Sequence, residues 1–173
     1  MVHQDRPDTT VDTAAVPPAQ ATAPTEPVEL IEHILHRYHD VHRQQLPELI
    51  RLATQVEAMH AQHPHVPAGL RALLEAMQAE LHQHMAKEEQ ILFPLLIADS
   101  PMARFPIGVM RQEHDAHAQQ LNRLRALTHD LTLPAQTCHT WHALYAGVRQ
   151  FVDDLTQHIH LENDVLFPRF EAA

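Results

Sequence analysis

The chain has 173 residues, a formal net charge of −10, three glycines, one cysteine and 17 histidines. That length makes one domain with a sizeable core, and the acidic balance argues against nucleic acid and anionic membrane surfaces as partners. A single cysteine, Cys138, excludes an intramolecular disulfide and fits a reducing compartment.

Residues 1–27 are rich in Pro, Ala and Thr and lack hydrophobic periodicity, so a disordered tail is expected there, followed by one domain over 28–173. Neither a signal-peptide pattern nor an apolar run of membrane-spanning length is present, which points to a soluble cytoplasmic protein. From Val28, Ile31, Leu35, Tyr38, His42, Leu46, Leu49, Ala53 and Val56 recur at threes and fours, predicting an amphipathic helix that Pro47 should bend or deprive of a hydrogen bond. His60 to Pro67 reads as a loop. A second helix carries Leu70, Leu73, Leu74, Met77, Leu81, His84, Glu88, Ile91 and Leu92 on its inner face and stops near Pro94. The third lies around 102–130 with Val109, Met110, His114, His117, Leu121 and Leu124 inward, and Leu131 to Pro134 forms the next turn. The fourth runs from about 136 to 167, with Trp141, Leu144, Tyr145, Val148, Phe151, Val152, Leu155, His158, Glu162 and Val165 inward. The fold class expected is all-α, a four-helix bundle.

The chain also repeats itself. His84-Met-Ala-Lys-Glu88 leads to Ile-Leu-Phe-Pro94, and 74 residues later His158-Ile-His-Leu-Glu162 leads to Val-Leu-Phe-Pro168. Upstream, His39-Asp-Val-His42-Arg-Gln-Gln-Leu46 matches His114-Asp-Ala-His117-Ala-Gln-Gln-Leu121 at an offset of 75. The bundle is therefore two duplicated helical hairpins. A His and a Glu four apart stand one turn apart on one helix face. With 17 histidines, about one such pair arises by chance, so recurrence in matching context carries the weight.

Duplication filters the other histidines. His33, His36, His82 and His160 have no repeat partner and are assigned to solvated faces or core edges, leaving His39, His42, His114 and His117 from helices 1 and 3. In an antiparallel hairpin, residues equidistant from the turn lie level. The midpoint of His39 and His84 falls in the first loop, and that of His114 and His158 beside the second. The position of Glu88 and Glu162 one turn further along favours His39 and His114 over His42 and His117. His60 lies about 31 Å along the helix from His39 and is a loop residue. The resulting metal-ligand set is His39, His84, Glu88, His114, His158 and Glu162. If each glutamate bridges, two six-coordinate ions keep open positions, which suits iron, with manganese as the alternative, better than zinc. Glu80 and Asp154 correspond across the repeat and could orient ligands from behind. Asp40 and Asp115 read as helix-surface charges, and Glu113, the repeat partner of Tyr38, could line a polar access path.

These residues resemble the hemerythrin-like di-iron proteins, and among them the iron–sulfur cluster repair (RIC) family, over roughly residues 28–170. The most specific pieces are Arg-Tyr-His39-Asp, Gln-Leu-Pro-Glu-Leu-Ile50 and the two His-x-x-x-Glu units with their Leu-Phe-Pro endings. The resemblance implies two iron ions per chain, bridged by Glu88, Glu162 and a solvent-derived oxo or hydroxo group. It implies repair of iron–sulfur clusters damaged by nitrosative or oxidative stress, by iron donation and/or nitric oxide reduction, with damaged Fe–S proteins as partners. Dioxygen binding or sensing, as in other hemerythrin-like proteins, is the alternative. A monomer or weak dimer is expected. Many family members carry a small N-terminal domain with adjacent cysteines, whereas residues 1–27 contain none.

Overall fold

A computed structural model describes residues 23–171 of the chain. The tail expected over residues 1–27 therefore lies, up to residue 22, outside the described residues. Those described form four long helices and no strand.

Helix α1, residues 27–59, comprises Pro27–Ile34, a π-helical turn Leu35–His39, and Asp40–Met59. Pro27 stands at its start, where a missing N–H costs nothing. Helix α2, residues 70–97, comprises Leu70–Lys87, a π turn Glu88–Leu92, and Phe93–Ile97. It is entered through Gly69, whose φ of 90° lies in the left-handed region that a side chain would disfavour. A 3₁₀ turn Pro101–Ala103, capped by the Ser100 hydroxyl accepting from Met102 N, leads into α3, Arg104–Leu127. Helix α4, residues 139–171, comprises His139–His160, a π turn Leu161–Leu166, and Pro168–Glu171. Thus α3 and α4 both start a few residues later than the sequence pattern suggests. Pro47 lies inside Asp40–Met59, which runs on through it.

The helices alternate in direction, and α1 packs on both α2 and α4 while α3 closes the bundle against α2 and α4. At Gly147 of α4 the approach to α1 is close: a Cβ there would sit 2.8 Å from Leu49 Cδ2. No helix among the described residues is long and apolar enough to cross a membrane.

The π turns change which side chains face inward. Each inserts one residue, so the inward stripe slips by one position beyond it. Ile91, expected inside, is 54% exposed, while Leu92 and Phe93 are buried. Val165 is likewise only half-buried, and Leu166 and Phe167 take the core positions.

The apolar core is split in two. One cluster, around Leu49, Leu74, Leu124, Trp141 and Phe151, fills the end carrying the two hairpin loops. The other, around Leu30, Ile34, Phe93, Ile107 and Phe167, fills the opposite end. Buried His39, His42, His84, Glu88, His114, His117, His158 and Glu162 belong to neither cluster. Trp141 is fully buried in the loop-end cluster. Replacing it with Ala should cost about 3–5 kcal/mol in urea unfolding while leaving the metal stoichiometry of the folded protein unchanged, as read by elemental analysis.

Candidate metal centre

One helix contributes each imidazole: His39 from α1, His84 from α2, His114 from α3 and His158 from α4. The π turns begin or end at this level, with His39 closing the first, Glu88 opening the second and Glu162 near the start of the third. All six side chains, the four imidazoles with Glu88 and Glu162, are at most 1% exposed.

The imidazoles turn Nε2 inward in two pairs. His39 Nε2 lies 3.2 Å from His158 Nε2, and His84 Nε2 lies 3.1 Å from His114 Nε2. Each glutamate reaches both pairs, one oxygen to each. Glu88 places Oε2 3.3 Å from His39 Nε2 and Oε1 3.2 Å from His84 Nε2. Glu162 places Oε1 3.2 Å from His158 Nε2 and Oε2 3.1 Å from His114 Nε2. Two sets of four donors result, His39–Glu88–His158–Glu162 and His84–Glu88–His114–Glu162, each with its donor atoms within 4.8 Å of one another.

None of the four carboxylate oxygens receives a well-aligned hydrogen bond from the described residues, although all are fully buried. Burial alone would raise both carboxyls. The nearby imidazoles outweigh it, His84 and His39 around Glu88 and His158 and His114 around Glu162, and hold both below the ordinary carboxylate range. Burial pulls His84 down, but the Glu88 and Glu162 carboxylates overcome it and lift the imidazole to about 9. Four imidazole Nε2 atoms turned to one centre, carboxylate oxygens without an aligned donor and mixed N/O donors are the chemistry of a cation site.

The outward nitrogens have partners that the repeat pattern did not single out. His39 Nδ1 is 2.8 Å from Glu89 Oε1, and His114 Nδ1 is 2.9 Å from Asn163 Oδ1. Glu89 and Asn163 correspond across the 74-residue offset, a signal obscured because adjacency to an inward Glu suggests an outward side chain. Glu113 stands behind His84, with Oε2 2.9 Å from Nδ1, and also pairs with Lys87. It lines a surface cleft of about 200 Å³ with Glu80, Gln83, Lys87, Ala116 and His117.

Glu80 and Asp154 make no bond to the four paired imidazoles. Each instead ends a chain that starts on the other duplicated histidines. His42 Nδ1 faces Gln45 Oε1 at 3.4 Å, and Gln45 Nε2 donates to Asp154 Oδ2 at 2.8 Å. His117 Nδ1 faces Gln120 Oε1 at 3.2 Å, and Gln120 Nε2 donates to Glu80 Oε2 at 2.6 Å. Asp154 is held further by Arg37 and Gln150. Asp40 and Asp115 are exposed, as are His36, His82 and His160, while His33 is half-buried and His60 caps the end of α1.

Residues 30–170 match the Hemerythrin HHE cation binding domain. The chain belongs to the hemerythrin family. Over 119 residues, 68% of its length, this hemerythrin chain is 51% identical to a probable iron-sulfur cluster repair protein of Haemophilus influenzae, covering 53% of that protein. It is 52% identical, over the same length, to the iron-sulfur cluster repair protein YtfE of Yersinia pestis, covering 54% of it. The chain spans about half the length of the curated relatives it matches.

Burial and the neighbouring His158 and His84 depress His42 to about 3 and His117 to about 4. Both are therefore neutral in the folded state and take up protons on unfolding below pH 6.5. Their contribution to stability is present above about 6.5 and is lost as pH falls, toward about 4 for His117 and about 3 for His42. The urea midpoint of metal-free protein should accordingly drop over that window, and a His42→Phe, His117→Phe variant should show a shallower slope by up to two protons.

Proposed function

We propose that the chain is a non-haem di-iron protein that repairs iron–sulfur clusters damaged by nitrosative or oxidative stress. His39 and His158 hold one ion, His84 and His114 the other, and Glu88 and Glu162 are shared. The observation that carries this reading is the pair of overlapping four-donor sets with both glutamates in common. Two imidazoles per ion distinguish it from ferritin-like sites, which use one histidine per metal and more carboxylates. Mixed imidazole and oxygen donors favour iron, with manganese as the alternative, over zinc.

The repair role is supported by the names of the relatives, probable or assigned iron-sulfur cluster repair proteins, at about half identity over the matched region. Damaged Fe–S proteins in the cytoplasm are the partners this reading assigns. When bound, the ion pair supplies redox-active iron with exchangeable positions, suited to donation of iron or to reduction of nitric oxide. The residues supply the rest. The fully buried donor set keeps bulk water from the ions, Glu88 and Glu162 span the two positions, and Glu89, Glu113 and Asn163 fix the orientation of three imidazoles.

Anaerobically reconstituted protein should carry about two irons per chain. It should restore activity to a nitrosylated Fe–S enzyme, whereas a Glu88→Ala, Glu162→Ala variant should do neither. Equal restoration by both proteins would end the repair reading, and stable reversible dioxygen binding by the reduced form would assign it to dioxygen binding instead.

A further inference from the structure

The groups behind the four imidazoles are where the two halves of the duplication diverge. Glu113 aligns with Tyr38 at the 75-residue offset, and Glu89 aligns with Asn163 at the 74-residue offset. An imidazole that binds a cation through Nε2 carries its proton on Nδ1, and that proton needs an acceptor. His84 finds one in Glu113, His114 in Asn163 and His39 in Glu89. His158 Nδ1 is buried and has no hydrogen-bond partner among the described residues.

In place of an acceptor, His158 has ring faces against it. Tyr38 stacks on it with centroids 5.5 Å apart and planes 10° from parallel, and His42 lies 5.4 Å away at 29°. These contacts set the plane of the ring without choosing which nitrogen bears the proton. Without an ion, the proton can sit on Nε2, 3.2 Å from Glu162 Oε1. With an ion it must move to Nδ1, where none of the described residues accepts it. The backing of His39 is also diluted, because Glu89 Oε1 serves Arg43 Nη2 at 2.6 Å as well as the imidazole. Glu113 divides its load, Oε2 for His84 and Oε1 for Lys87.

Resting on the binuclear reading above, we infer that the two metal positions are unequal. The one formed by His39 and His158 gives up its ion first. The His84 and His114 position, with an acceptor behind each ring, is the retained one. Outer partners of this kind change metal affinity by about ten- to a hundredfold, enough to separate the two releases in time.

The test loads the full chain anaerobically with ferrous iron and follows capture by a colorimetric ferrous chelator. Wild-type protein should lose one equivalent about tenfold or more faster than the second. Glu113→Leu should bring the slow step close to the fast one, Glu113→Gln should fall between, and Glu89→Leu should accelerate the fast step alone. Far-ultraviolet circular dichroism of each metal-free variant checks that it folds, and the Gln variant decides the matter should the Leu variant not fold. Release of both irons in one step by wild type, or an unchanged slow step in the Glu113 variants, overturns the inequality and leaves the binuclear centre standing. A chain that takes up no pair of irons overturns the centre itself, so the two failures are told apart.

Discussion

Two carboxylates buried with no aligned donor are the constraint on which the rest of this structure turns. Glu88 and Glu162 sit between the two apolar clusters, where a lone carboxylate would be neutralised or expelled. Four imidazoles offset that cost only in part, since those in each pair face one another nitrogen to nitrogen and compete for protons. In the proposed reading a pair of cations satisfies every inward atom at once. Each helix need then deliver only one imidazole, and α2 and α4 a carboxylate one turn on.

Much of this was legible because the gene duplication wrote the polar residues twice. Hairpin geometry then selected His39 and His114 over His42 and His117, and the structure places the former pair, with His84, His158, Glu88 and Glu162, in one cluster. What remained hidden follows from departures from regular helix. A 3.6-residue period puts Ile91 and Val165 inside, and no pattern in the sequence signals that a turn of α2 or α4 has been widened. The same regularity argument points Glu89 and Asn163 away from the site, whereas both reach imidazoles on a neighbouring helix.

The carboxylates Glu80 and Asp154 teach a related lesson. They recur across the repeat and share one arrangement, each bonded through an intervening glutamine to His42 or His117 rather than to the four paired imidazoles. Repetition identifies which residues act together and leaves the wiring to side-chain reach. Where the repeat fails, at Tyr38 against Glu113, the symmetric scaffold carries unlike surroundings for its two imidazole pairs.

The widened turns also set limits on how such a chain can change length. Helices are ordinarily forgiving of small insertions near their ends, as are the turns, here around His63 and Pro134, that join them. A one-residue deletion at the level of Glu88 or Glu162 would instead rewind the helix to regular pitch and swing everything beyond it by about 100°. Phe93 and Leu96 in the first case, or Leu166 and Phe167 in the second, would leave the interior together. Divergence among such chains should accumulate as substitutions around the centre and as length variation only at the ends of the bundle.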